Sequence, residues 1–213
     1  MEQPIQVKHG TTTIGLVCKE AIVMAADKRA TVGGLIADKK SQKIFKITDK
    51  MAITMAGTVS DAQLLYKLIK AELRLKQLRT EREPTVKECA NLLAGMIYAN
   101  IRKFSVIPGI SHFLLAGVDR EGFHLYDLFA DGSITEIDDY VSSGSGSVMA
   151  YGVLEAMYKK DLTVKDALAL AVKGISAAIS RDTGSGEGMD AVAITVDGVK
   201  VIFEKKIDTT IRV

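Results

Sequence analysis

Gly10-Thr11-Thr12-Thr13-Ile14-Gly15-Leu16-Val17-Cys18-Lys19 closes a ten-residue polar leader and opens a run rich in β-forming residues. The same character continues outward from it. Strands are expected at residues 11–19, 21–28, 43–47 and 51–59, with a turn region at Gly33-Gly34. Unbroken apolar stretches such as Ile22 to Ala26 read as strands buried on both faces.

At Ser60 the period changes. Ser60 and Gln63 are spaced as a capping box, and Leu64, Leu68, Ala71, Leu75 and Leu78 follow at helical intervals until Pro84 stops the run. A second box, Thr85 with Glu88, opens a helix with Val86, Cys89, Ala90, Leu93, Ile97 and Ile101 on one face. Strands return at 113–118, 123–129 and 134–141, then helices at about 148–158 and after Thr163, and a last hairpin turns at Asp197-Gly198. Strands and helices cluster instead of alternating, which gives an α+β class with sheets packed together and helices outside.

The chain has 213 residues, 47% of them hydrophobic, enough for one sizeable core and one domain. Net charge is +2 with both signs interspersed, so nucleic acid is not an expected partner. The leader lacks an apolar segment and no run reaches the ~18 residues of a membrane span, so no membrane association and a cytoplasmic location are expected. Cys18 and Cys89 stand alone and read as small buried side chains, and His9, His112 and His124 are too scattered for a metal site. No cofactor or metal is expected.

Two features could carry chemistry. The loop Ser142-Ser143-Gly144-Ser145-Gly146-Ser147 lies between a strand and a helix, but it matches neither glycine-rich nucleotide fingerprint, and the esterase elbow G-x-S-x-G is absent. The other is the Gly10-Thr11 bond. If it is cut, Thr11 gains a free α-amine and carries nucleophile and base on one residue.

Gly10-Thr11-Thr12-Thr13, Asp27-Lys28-Arg29, Ser41-Gln42-Lys43, Ala56-Gly57, Gly144-Ser145-Gly146 and Arg181-Asp182-Thr183-Gly184-Ser185-Gly186 together resemble the proteasome β-subunit family in its archaeal form, over Gly10 to about Phe203. The resemblance implies an N-terminal nucleophile hydrolase fold, a four-layer αββα sandwich of two antiparallel sheets flanked by helices. It implies a propeptide at residues 1–10, self-cleaved at Gly10-Thr11, and a single peptidase domain at 11–213. Thr11 would be the nucleophile, Asp27 and Lys43 its partners, Gly57 the oxyanion amide, and Ser145, Asp182 and Ser185 a supporting polar network. Ala30, Ser41, Phe45, Met55, Val59 and Gln63 would line the first specificity pocket, without a charge, favouring cleavage after hydrophobic residues. Seven such chains would form a β ring stacked with α-type subunits, fed unfolded protein by an ATPase cap. A bacterial peptidase ring sharing the N-terminal threonines fits less well after the first acid, and the alternative within the family is a catalytically silent ring subunit.

An α-amine titrates near ~7.7 to 8 and a lysine near ~10.4, so the Thr11 amine is the better base at neutral pH. Asp27 beside Lys43 would stabilise the ammonium, which leaves Lys43 an electrostatic part.

Overall fold

A computed structural model describes residues 10–208; of the expected leader only Gly10 falls among them, and residues 1–9 and 209–213 lie outside. The strands are β1 (Thr13–Val17), β2 (Ile22–Asp27), β3 (Ala30–Val32), β4 (Leu35–Asp38), β5 (Ile44–Thr48) and β6 (Met51–Gly57), followed by the helices α1 (Val59–Thr80) and α2 (Val86–Ile101). Then come β7 (Ser111–Asp119), β8 (Gly122–Leu128), β9 (Ile134–Ile137) and β10 (Tyr140–Ser143), the helices α3 (Ser147–Met157) and α4 (Val164–Arg181), and finally β11 (Gly188–Thr195) and β12 (Gly198–Lys206).

One sheet has the order β10-β1-β2-β11-β12 and the other β5-β6-β7-β8-β9, with β3-β4 a separate hairpin; every pairing is antiparallel. Side-chain alternation explains why these strands stack as layers. Along β2, Val23 and Ala25 pack against α3 and α4, whereas Ile22, Met24 and Ala26 enter the layer between the sheets. Along β7, Leu114, Ala116 and Val118 enter that same middle layer while Phe113 and Leu115 meet α1 and α2. Strands buried on both faces need two partners each, and the outcome is the four-layer α+β sandwich of helices, sheet, sheet and helices. Among the described residues no helix is long and apolar enough to cross a membrane.

Three local expectations are corrected. Ser60 and Gln63 do not box the first long helix: it starts at Val59 after Thr58, with no side-chain cap, because the Thr58 amide and hydroxyl are drawn to Ile110 and Pro108 carbonyls. The buried stripe of α1 is Ala62, Leu65, Ile69 and Leu73, while Leu64, Leu68, Leu75 and Leu78 lie exposed along a second stripe. Residues 134–141 are two strands in different sheets, broken at Asp138-Asp139, where the chain crosses from β9 to β10. The Thr85–Glu88 capping box is present, with both reciprocal bonds made. Cys18 and Cys89 are buried, and burial pushes their thiols up to about 11 and about 12.

Candidate active site

The open end of the sandwich gathers the start of β1, the ends of β2, β6 and β10, the residue before β5, and the loop after α4. That is where the sequence-expected residues converge. Thr11 is buried, and its Gly10-Thr11 bond is intact: the Thr11 hydroxyl donates to the Gly10 carbonyl oxygen at 2.6 Å, and Lys43 Nζ lies 3.4 Å from the same oxygen. Gly10 is held by its own amide, which donates to Thr31 Oγ1 at 3.0 Å. A side chain there is impossible without rearrangement, since a Cβ on Gly10 would lie 2.0 Å from the Gly184 Cα.

Asp27 is fully engaged. Its Oδ1 accepts Lys43 Nζ at 2.7 Å and the Thr12 amide at 2.9 Å; its Oδ2 accepts the Arg29 amide at 3.0 Å and the Gly186 amide at 2.9 Å. Four donors fill the lone pairs of a carboxylate, so Asp27 is held in place with no acceptor position to spare. Lys43 is nine-tenths or more buried, and burial holds its ammonium below the ordinary lysine value, against the pull of Asp27 and then Asp182 and with help from Arg29. Desolvation is therefore the larger effect here, which moves Lys43 toward the neutral form further than its carboxylate neighbour alone would suggest.

A second carboxylate organises the other side. Asp182 Oδ2 accepts the Ser145 hydroxyl at 2.6 Å and the Ser185 hydroxyl at 2.7 Å, and its Oδ1 accepts the Gly184 amide at 3.1 Å. With its proton committed to Asp182, Ser145 Oγ accepts from the Thr11 nitrogen at 3.3 Å. By the same count Ser185 accepts from Thr12 Oγ1 at 2.6 Å. Gly57 closes β6 with φ +105°, and a Cβ there would lie 2.2 Å from the Ile110 carbonyl oxygen, so this backbone turn accepts only glycine.

A cleft of about 50 Å³ opens beside Thr11 and is lined by Gly10, Ala30, Ser41, Met55, Gly57, Val59 and Gln63, with Lys43 its one charged residue. Phe45 lies outside that lining; its ring packs against Tyr66, with centroids 4.9 Å apart. Thr31, Gln42 and Ala62 join it. Thr31 belongs to no motif, and Thr12, Arg29 and Gly184 sit in the quoted motifs with no role read for them; their contacts reach across the fold, and the Arg29 guanidinium bonds Thr183 O and Glu187 and fills the space a Gly186 side chain would need.

A wider cleft of about 850 Å³ lies elsewhere, between α1, the β5-β6 turn and the α1-α2 connection, and shares no residue with the first. Lys46, Lys50, Lys70, Arg74, Arg82 and Arg120 face Asp49, Glu83 and Asp119 across it. Its ion pairs, such as Lys46–Asp49 at 2.6 Å and Lys50–Glu83 at 3.3 Å, are solvent-exposed. At its edge Arg82, with Lys76, holds the Glu88 carboxyl well below the usual range.

Comparison with known proteins gives a consistent result. A family model described as proteasome subunit matches residues 7–194. The proteasome subunit beta of Ferroglobus placidus is 47% identical over 190 residues, covering 89% of each chain. That of Archaeoglobus profundus is 44% identical over 203 residues, covering 95% of this chain and 93% of its own. That of Methanocaldococcus fervens is 40% identical over 205 residues, covering 96% and 90%.

Proposed function

Because the chain belongs to the proteasome subunit family, as a β-type core subunit with N-terminal threonine peptidase activity, we propose that Thr11 is its nucleophile and that residues 1–10 are a leader it removes from itself. The observation that carries this reading is the Thr11 hydroxyl at 2.6 Å from the Gly10 carbonyl oxygen, with Lys43 Nζ at 3.4 Å from that oxygen.

In self-cleavage Thr11 Oγ attacks the Gly10 carbonyl carbon. The C–N bond breaks as the C–Oγ bond forms, the hydroxyl proton passes to the departing nitrogen, and water then hydrolyses the ester. The leader leaves with a carboxylate, and Thr11 keeps a free amine and hydroxyl. Lys43 favours negative charge on the attacking oxygen, Asp27 fixes Lys43, and Ser145 with Asp182 and Ser185 holds the nitrogen that becomes the amine. Peptide hydrolysis repeats the chemistry on a substrate carbonyl: the amine, near ~7.7 to 8, takes the hydroxyl proton and returns it to the leaving nitrogen through an acyl-enzyme. The Gly57 amide serves the oxyanion.

The subunit assembles into the proteasome core with α-type subunits. The second, outward leucine stripe of α1 supports such assembly, being apolar surface that one chain leaves in water. Heptameric rings, an ATPase cap and unfolded protein as substrate complete the proposal, with residues 11–213 as one peptidase domain. The apolar lining beside Thr11, from Ala30, Met55 and Val59, supports cleavage after hydrophobic residues.

Intact mass after co-expression with an α-type partner tests the nucleophile. The expected result is loss of residues 1–10 in the parent and their retention in Thr11→Ala, together with loss of all peptidase activity. A leader kept in both chains, or a processed and active Thr11→Ala protein, would overturn it. A fluorogenic panel is expected to turn over fastest after hydrophobic residues; faster turnover after acidic or basic residues would remove the specificity reading.

A further inference from the structure

At the open end of the sandwich the apolar layer between the two sheets becomes polar. By strand alternation His112, on β7, shares a face with Leu114 and Ala116, and Ser143, on β10, shares a face with Val141; all three apolar residues belong to the middle layer. His112 Nδ1 and Ser143 Oγ are 2.8 Å apart, which ties one sheet to the other. His112 Nε2 contacts Asp127 Oδ1, on β8, and Phe129 lies against the ring at 4.4 Å between centroids.

Proton bookkeeping gives the chain a direction. An ionised carboxylate accepts only, so Nε2 carries a proton toward Asp127; in the neutral ring Nδ1 is then bare and accepts the Ser143 hydroxyl. Asp, His and Ser in series resemble a nucleophilic triad, but Ser143 is buried and, unlike Thr11, lines neither of the two clefts. What Ser143 does reach is the loop under Thr11. Gly144, the next residue, packs so closely that a Cβ would lie 2.1 Å from Thr11 O; Ser145 Oγ accepts the Thr11 nitrogen; and the Gly146 amide donates to Thr11 O at 3.3 Å. Gly144 has φ +94°, and the ladder between β1 and β10 ends at the Thr13–Ser143 pair, so beyond Ser143 the loop has no strand pairing to hold it.

We propose that Asp127, His112 and Ser143 are positioning residues that fix the 144–146 loop, and through it Thr11, by bonding it to the opposite sheet. The inference rests on the reading of Thr11 as nucleophile. Catalytic geometry is steep in distance, a misplacement of about 1 Å costing roughly 10²-fold, so a loop released from one anchor loses rate without losing the pocket.

The test uses rings assembled with the α-type partner and compares the parent with Ser143→Ala, His112→Leu, the double variant and Asp127→Asn, with kcat expressed per folded ring. Expected are kcat values about tenfold lower in each of the two single variants, KM within about twofold, and a double variant no slower than the slower single, as for residues acting through one connection. Asp127→Asn, which keeps an acceptor, should recover most of the rate. Unchanged kcat in Ser143→Ala, additive losses in the double variant, or a fall that only mirrors loss of folded rings would overturn the proposal. A parent without Thr11-dependent turnover would instead remove the reading on which it rests.

Discussion

The two clefts of this molecule differ in size in the opposite order to their chemistry. The wide one, about 850 Å³, holds six cationic side chains, yet its ion pairs stand in water, where each is screened and free to rearrange. The narrow one, about 50 Å³, has a single charged residue in its wall, and that lysine is buried against a carboxylate with no spare lone pair. Catalysis needs donors and charges that stay in place while charge develops, and only the second arrangement supplies them.

The comparison breaks most visibly at Lys43. Lys43→Met leaves Asp27 buried and unpaired on one side and removes the amino group beside the Gly10 carbonyl oxygen. Turnover should fall roughly 10²- to 10³-fold, a magnitude typical of losing one preorganised electrostatic group, measured as kcat on processed rings. A loss below tenfold would show that burial of this pair is not what separates the two clefts.

A smaller effect sharpens the same point through stability. In a Thr11→Ala background, where the bond after Gly10 is expected to stay uncut, folded Lys43 titrates below its ordinary value while the unfolded chain keeps it. Between the two the unfolded state binds more protons, so stability rises with pH across that window. The further change Lys43→Met should remove that rise. Denaturant midpoints followed from neutral pH to ~10 would measure the difference; Tyr126 and Tyr158, each raised to about 12 by burial, are present in both proteins and cancel. The smallest expected effect belongs to the wide cleft: Lys70→Ala with Arg74→Ala should leave kcat and KM unchanged, and a clear loss of turnover there would erase the distinction.

Much of the fold could be read directly, because buried strands and capped helices leave local traces. Ile22 to Ala26 announces a strand with two partners, and Thr85 with Glu88 announces a helix start, from residues that are neighbours in sequence. Local rules do not decide where they allow two answers. The first long helix has two apolar stripes of helical period, and nothing local says that Leu65, Ile69 and Leu73 face the sheet while Leu64, Leu68 and Leu75 do not. The break at Asp138-Asp139 lies inside a run that reads as one strand, and only the sheet each half joins separates them.

The site divides in the same way. Thr11, Asp27, Lys43, Gly57, Ser145, Asp182 and Ser185 are named together by motifs spread along the chain, and the fold brings them to one end. Thr31, which accepts the Gly10 amide, and His112, which bonds Ser143, belong to no motif, and Gly184 sits in one that gives no hint of its close approach to Gly10. Their meaning lies in contacts with residues far away in the chain, and a lone histidine or a loop glycine carries no sign of that on its own.

The outward leucines of α1 have a consequence for the life of the subunit before it works. Leu64, Leu68, Leu75 and Leu78 give a freshly folded chain a sticky rail along one helix, and any other sticky surface can bind it. Assembly then competes with aggregation, and early burial of this rail against the correct neighbour favours the folded subunit.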